Sequence, residues 1–197
     1  MQGALDFYRD LPVRPKRPER LFFGLFPDAE TAALAGRCGQ RFVCEYGQEE
    51  RWLKRERRHV SLHHVGDDKC LRTKLIYAAK RAGQEVSLRQ FCVTFPFIRS
   101  FEIVPAIMRR PRRCALVLLG EGEGLLELHR ILGAAMNKNG LRAAEEFTPH
   151  MTLSYGPTLI PTQAIEPISF VVREFALIHS KLGLTQYEVI DRWALKG

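Results

Sequence analysis

The stretch HVSLHHVG, residues 59–66, has a partial copy in HMTLSYG, residues 150–156. Each stretch begins H-x-[S/T]-L, alternates between side-chain classes and closes on a glycine, which predicts a strand followed by a turn. Side chains two apart in a strand share one face. Each strand is therefore expected to present an imidazole and a hydroxyl together, while alternate residues such as Val60 and Leu62 turn into the core.

The two stretches stand at matching places in a loose internal duplication. Each follows a short apolar run, LFFGLF at 21–26 or CALVLL at 114–119, and then a segment with the spacing of an amphipathic helix. The interval from the end of the apolar run to the histidine is 33 positions for His59 and 31 for His150. Similar intervals that end on the same pattern predict two similar halves.

If the two halves face one another, four polar side chains meet in one cleft. In-line displacement at a phosphodiester needs a base and an acid on opposite sides of the phosphorus, and imidazole serves either role near neutral pH. Hydroxyl groups donate hydrogen bonds to the non-bridging oxygens, and no metal is required. The pattern therefore predicts His59 and His150 as catalytic, Ser61 and Thr152 as phosphate-binding, and neither a metal site nor a cofactor.

Positive charge is concentrated in two short runs. The chain of 197 residues has 30 Lys and Arg against 22 Asp and Glu, a formal net charge of +8. RWLKRERR at 51–58 and RRPRR at 109–113 account for the excess. Concentrated positive charge on an otherwise neutral body favours a polyanionic partner, with nucleic acid the leading candidate, and solvated surface turns are the alternative.

The remaining composition is that of a globular protein, with 46% hydrophobic and 26% charged residues. No apolar run approaches the ~20 residues of a membrane span, and residues 1–20 lack the apolar segment of a secretory signal. The five cysteines are an odd number and form no C-x-x-C pair. We therefore expect a cytoplasmic monomer with no membrane association.

Two regions are expected along the chain: an extended, basic, Pro-rich arm over residues 1–19, and a single domain over residues 20–197. Helical spacing predicts helices after Pro27, before Gly83 and before Gly140, the second of them capped by Asp67 or Asp68. Besides the two motif strands, apolar patterns predict further strands. These lie at 21–26, within 86–104, where Pro96 marks an edge or bulge, and at 114–119, 168–178 and 187–194.

The two motifs, HVSLHHVG and FTPHMTLSYG, resemble the paired H-x-[T/S]-L motifs of the 2H phosphoesterase superfamily. They are most similar to its LigT-like branch, which comprises 2'-5' RNA ligases and RNA 2',3'-cyclic phosphodiesterases. The likeness extends over about residues 20–197. It implies an α+β fold with two pseudo-symmetric lobes of antiparallel sheet and outer helices around a central groove.

Carried over by position, the resemblance implies that His59 and His150 are the two catalytic histidines and that Ser61 and Thr152 are their hydroxyl partners. It implies hydrolysis of a 2',3'-cyclic phosphate to a 2'-phosphate, on RNA or a small cyclic nucleotide, with 2'-5' RNA ligation as a side activity. Two alternatives remain open: an RNA-binding module with little turnover, and a phosphodiesterase for 2'-5'-linked oligonucleotides.

This chain departs from the LigT-like pattern at two places. His64-Val65-Gly66 stands where an aromatic-Leu-Gly is usual, and Tyr155 stands where an arginine is common. A phenol donates one hydrogen bond but lacks the charge and fork of a guanidinium, so Arg112 or Arg113 is a candidate to compensate.

Other side chains near the motifs are candidates for contact with substrate. Tyr155 is one. His63 is another, because it shares the face of His59 if the strand is regular, while His64 is then expected to point away. Phe22 and Phe23 could stack a base, although a buried strand is the stronger interpretation for both.

Overall fold

The computed structural model describes residues 19–46, 51–68, 70–103, 113–181 and 186–197. The arm predicted over residues 1–19 lies outside the described residues except for Glu19, which begins the first strand. Of the second basic run, only Arg113 is described. The first basic run is described in full.

The described residues form nine strands and three helices, most of them at positions that the sequence pattern predicts. The strands are β1 (Glu19–Leu25), β2 (Arg51–Trp52), β3 (Val60–Asp68), β4 (Phe91–Ile103), β5 (Arg113–Glu121), β6 (His150–Gly156), β7 (Gln163–Val172), β8 (Glu174–Lys181) and β9 (Gln186–Ala194). The helices are α1 (Ala29–Glu45), α2 (Thr73–Gln84) and α3 (Glu123–Lys138), and a short 3₁₀ turn covers Arg55–Arg57.

The strands form one sheet with a nearly symmetric order, β7-β4-β5-β6-β3-β1-β8-β9, in which β2 also pairs with β6. The neighbouring strands pair antiparallel. A pseudo-two-fold axis between β6 and β3 exchanges β5 with β1, β4 with β8 and β7 with β9. We call β3, β1, β8 and β9 the first lobe and the other strands the second lobe. The fold is therefore α+β with two pseudo-symmetric lobes, as predicted.

The helices pack on the sheet and bury its apolar alternates. Helix α1 contacts β6 and β7, helix α2 contacts β3, β8 and β9, and helix α3 contacts β4, β3 and α2. One hydrophobic cluster spans both lobes and includes Val60 and Leu62 of β3 and Met151 and Leu153 of β6. Because these alternates point into the core, the polar residues between them face the opposite side of the sheet.

Two predictions about element boundaries are wrong. The single strand predicted over 168–178 is two strands that do not pair with each other, β7 of the second lobe and β8 of the first, which separate at Arg173. Neither Asp67 nor Asp68 caps α2, because β3 continues through both residues and the helix begins at Thr73. The irregularity predicted at Pro96 is confirmed, since the pairing of β4 with both neighbours shifts register beside it.

Among the described residues, no helix combines the length and apolar character that a membrane crossing needs.

Candidate active site

The two motif strands meet at the centre of the sheet. Their paired residues are Val60 and Met151, both fully buried. Extending this antiparallel register by one residue on each side sets His59 opposite Thr152 and Ser61 opposite His150, so that the histidine of each motif falls opposite the hydroxyl residue of the other.

A groove of about 310 Å³ lies over this crossing. All four predicted site residues line it, and so does Tyr155. The other lining residues are Arg20, Phe22, Leu53, Arg57, His64, Ser180 and Tyr187. The volume is at the small end of the ~300–1,000 Å³ range of small-molecule sites, which suits a ligand about the size of a nucleotide.

Both motif histidines are oriented in the same way by backbone. His59 Nδ1 lies 2.7 Å from the carbonyl oxygen of Arg57, and His150 Nδ1 lies 2.7 Å from that of Thr148. A carbonyl oxygen only accepts hydrogen bonds, so each Nδ1 carries a proton and donates it. In each neutral ring, Nε2 then carries a lone pair that can accept a hydrogen bond or a proton. At His59, the Ser61 hydroxyl lies 3.0 Å from Nε2 and donates to it.

The imidazole of His59 lies in an aromatic environment. Its ring centroid is 5.0 Å from that of Phe22, 5.4 Å from that of Tyr187 and 6.3 Å from that of Phe26. Burial lowers the pKa of His59 to about 4, because the cation loses hydration that these rings do not replace. The charge of a protonated His150 adds to the lowering. His59 is therefore neutral at neutral pH.

Tyr155 is in the groove, but an arginine is close to it. The guanidinium carbon of Arg113 lies 4.1 Å from the centroid of the Tyr155 ring. This cation–π contact brings positive charge near the position where the LigT-like pattern has arginine. Of the two candidates to compensate for Tyr155, Arg113 is thus adjacent to it, and Arg112 lies outside the described residues.

The expectation that His63 lines the groove is wrong. The pairing of β3 with β1 shifts register between Ser61 and His63, so that Leu62 and His63 are both buried in succession. A β-bulge of this kind reverses the alternation of side chains beyond it. His63 is only 2% exposed and donates from Nε2 to the carbonyl oxygen of His129, at 2.8 Å. His64, expected to point away, is the residue that lines the groove.

His64 belongs to a charged network at one wall of the groove. Its Nε2 donates to Asp67 Oδ1 at 2.9 Å. Arg20 holds the same carboxylate through two hydrogen bonds of 2.8 Å, from Nε and Nη2. The hydrogen bond from Arg20 holds the pKa of Asp67 well below its ordinary value, and His64 adds to this effect. The network fixes the orientation of His64 in the groove.

The two phenylalanines in β1 differ in position. Phe22 is buried but reaches the groove, where it packs against His59. Phe23 is fully buried in the main core and contacts Phe175 and Trp193. The core interpretation is therefore correct for Phe23, whereas Phe22 has both a core and a groove contact.

Several groove residues were not identified from the sequence. Arg57 had a usable signal, because it lies two residues before His59 in the basic run. Tyr187 had none, since β9 reaches the groove only through the pairing of β9 with β8 and of β8 with β1. Ser180 and Leu53 are brought in by β8 and by the segment before the 3₁₀ turn. Among the described residues, no group of three or more metal-ligating side chains is placed to hold an ion.

The fold of this chain is similar to that of several solved structures. Apo LigT of E. coli is similar over 92% of this chain and 100% of its own, with 23% identity and a TM-score of 0.66. TT0787 of Thermus thermophilus is similar over 90% of this chain and 98% of its own, with 19% identity and a TM-score of 0.69. No protein-family model and no curated protein matches the sequence.

The likeness to these solved structures is one of fold. The chain has the bilobal fold of the LigT-like 2H phosphoesterases, and the resemblance noted in the sequence is confirmed at this level. The two H-x-[S/T]-L motifs lie on the paired central strands, β3 and β6.

Proposed function

We propose that this protein is an RNA 2',3'-cyclic phosphodiesterase that hydrolyses the cyclic phosphate to a 2'-phosphate with two histidines. The observation that carries the proposal is the crossing of β3 and β6. It brings two similarly oriented imidazoles and two hydroxyls into one groove of nucleotide size. A phosphorus atom between them would have a proton acceptor on one side and a proton donor on the other.

The reaction follows from the required balance of bonds and protons. Water attacks the phosphorus in line with the ribose O3', the new P–O bond forms and the P–O3' bond breaks. One imidazole takes the proton of the water and the other gives a proton to O3', which leaves the phosphate on O2'. Ser61 and Thr152 donate to the non-bridging oxygens, whose negative charge is held through the transition state.

The two histidines are assigned opposite roles. With its pKa lowered to about 4, His59 is almost entirely unprotonated at neutral pH, which is the protonation state that a general base must have. His150 is then the acid that protonates the leaving oxygen. Before substrate binds, the Ser61 hydroxyl occupies the lone pair of His59 Nε2. A bound phosphate attracts that hydroxyl to its own oxygen and frees the nitrogen for water.

The structural neighbours support a nucleotide ligand. Among them, E. coli LigT has been solved with 3'-AMP, with ATP, with NADP+ and with phosphate. All of these ligands carry phosphate, and three contain a nucleotide. The groove of this chain, with Arg20 and Arg57 in its lining, is suited to the same chemical class.

Product analysis on three substrates tests the proposal. The purified protein is incubated, with EDTA present, with a short RNA ending in a 2',3'-cyclic phosphate, the same RNA with 3'-5' links and a free end, and a 2'-5'-linked oligonucleotide. We expect opening of the cyclic end alone, to the 2'-phosphate. Cleavage of the 2'-5' links instead would identify the 2'-5' oligonucleotide phosphodiesterase.

The third function considered has its own signature. An RNA-binding module would show salt-sensitive affinity for RNA ends without product, even at high protein concentration.

Ligation is tested by incubating an RNA that ends in a 2',3'-cyclic phosphate with an RNA that carries a free 5' hydroxyl. A 2'-5' linkage formed in that reaction, and lost in His59→Ala, would assign ligation to the same groove.

A further inference from the structure

Arginine side chains of the first basic run line two different cavities, the groove and a second cavity. Arg57 lines the groove, whereas Arg55 and Arg58 line a cavity of about 400 Å³ beside it. The division follows from the 3₁₀ turn over Arg55–Arg57, which directs neighbouring side chains to different sides. The positive charge of the run therefore extends beyond the groove.

Tyr187 is the boundary between the two cavities and lines both of them. On the groove side, its ring lies 5.7 Å from that of Phe22 and 5.4 Å from that of His59. The guanidinium carbon of Arg57 lies 4.4 Å from the Tyr187 centroid. A ligand that extends from the groove past Tyr187 thus enters the second cavity directly.

The second cavity combines an apolar surface with positive charge. Phe26 and Val189 contribute apolar surface, and three arginines face a single acid, Glu56, among the lining residues. Stacking surfaces beside cations are the combination by which proteins bind single-stranded nucleic acid. The three arginines are Arg55, Arg58 and Arg192.

The three arginines are not equally available to a ligand. Arg192 is paired with Glu174. Arg58 is 8% exposed and donates to the carbonyl oxygens of Ala32 and Leu53, so it is held by backbone. Arg55 is exposed and forms no ion pair with a described residue. Arg55 is therefore the cation best placed to meet a phosphate that arrives from solvent.

We propose that the second cavity is a binding site for the nucleotide on the 5' side of the reacting one, with Arg55 contacting the phosphate that joins the two. This inference rests on the proposed function. A 2',3'-cyclic phosphate stands at the 3' end of an RNA, so the preceding nucleotide is attached through the phosphate on the 5' oxygen of the reacting nucleotide. The preferred substrate is then an RNA end of two or more nucleotides rather than a free cyclic nucleotide.

Kinetics on two substrates test the site. The substrates are a nucleoside 2',3'-cyclic phosphate and a dinucleotide with the same cyclic end. We expect Arg55→Glu to raise KM for the dinucleotide by about tenfold, and to leave KM for the mononucleotide within about twofold, because only one substrate has the joining phosphate. Arg55→Lys, which keeps the charge, should restore most of the preference. Arg89→Glu, at an exposed position that lines neither cavity, is the matched control.

Binding without turnover separates this inference from the proposed function. Affinities are measured for a nucleoside 2'-phosphate and for a dinucleotide that ends in a 2'-phosphate. Tighter binding of the dinucleotide, lost in Arg55→Glu and kept in Arg89→Glu, supports the site even if the protein hydrolyses neither cyclic substrate. Equal affinities for the two ligands in the parent protein, or an equal loss for both in Arg55→Glu, would overturn it. Far-UV circular dichroism verifies that each variant is folded.

Discussion

His59 and His150 are alike in backbone support but differ in surroundings. Each donates from Nδ1 to the carbonyl oxygen two residues before it, which fixes the tautomer and directs Nε2 away from that carbonyl. His59 is enclosed by Phe22, Phe26 and Tyr187, whereas the ring contact of His150 is with Phe101 alone among the described residues. The aromatic enclosure of His59 is what lowers the pKa of that imidazole.

The low pKa of His59 predicts the acid limb of the pH profile. The base must be unprotonated, so kcat/KM should fall with decreasing pH only as pH approaches about 4. An ordinary imidazole, with a pKa near 6.5, would lose most of its base function by about pH 5.5. The measurement is kcat/KM on a nucleoside 2',3'-cyclic phosphate from pH 3.5 to 9, with circular dichroism at each pH. An acid limb centred near 6.5 contradicts the assignment of His59 as base.

At the scale of elements, alternation predicted the motif strands but not their irregularity. His59, Ser61, His150 and Thr152 were found because two strands repeat one pattern. His63 and His64 were assigned to the wrong faces because a bulge depends on the pairing with β1, and nothing in HVSLHHVG marks it. Strand β2 was missed for a related reason, since a two-residue strand has no period and exists only through its pairing with β6.

The bulge has a consequence for stability, because it brings two histidines into one buried stack. His63 lies 3.9 Å from His129 of α3, centroid to centroid, and His129 lies 4.2 Å from Phe147. Burial lowers the pKa of His63, and it lowers the pKa of His129 to about 4. Protonation of either ring is therefore disfavoured in the folded state.

This stack predicts that acid destabilises the protein through His129. Below pH 6.5 the unfolded chain binds a proton at this residue that the folded chain does not bind until about pH 4. The free energy of unfolding should therefore fall as pH decreases through this window, and His129→Phe, which keeps a stacked ring, should make the fall shallower. Urea unfolding at pH 7.5 and at pH 4.5 measures the free energy of unfolding at the two ends of this window. Arg130→Ala, a neighbouring exposed position, is the control, and equal slopes in all three proteins would refute the prediction.

For the whole molecule, the decisive feature is that two lobes share one sheet and one core. The symmetric strand order was predictable from the internal duplication, because each half repeats strand, helix and motif strand in the same sequence. The other residues of the groove could not be predicted from the sequence. Tyr187 and Arg20 reach the groove through the pairing of strands that are far apart in the sequence. The hydrophobic cluster is continuous across the β3–β6 crossing.

Continuity of the core predicts that the two lobes unfold together. The chain has two tryptophans, Trp52 in β2 of the second lobe and Trp193 in β9 of the first. Trp52→Phe leaves a reporter in the first lobe, and Trp193→Phe leaves one in the second. In each variant, we expect the tryptophan fluorescence transition to coincide with the far-UV circular dichroism transition in urea. Separate midpoints within one variant would show that the lobes unfold independently.

The central claim is that both histidines act on one phosphorus, and single substitutions measure it most directly. Turnover of a nucleoside 2',3'-cyclic phosphate is compared in the parent protein, His59→Ala, His150→Ala and the surface control Arg130→Ala. The account predicts that each histidine variant loses about 10²–10⁴-fold in kcat, the usual size of one proton-transfer contribution, while the control keeps the parent rate. If both histidine variants, correctly folded, stay within about threefold of the parent, the two-histidine mechanism is contradicted.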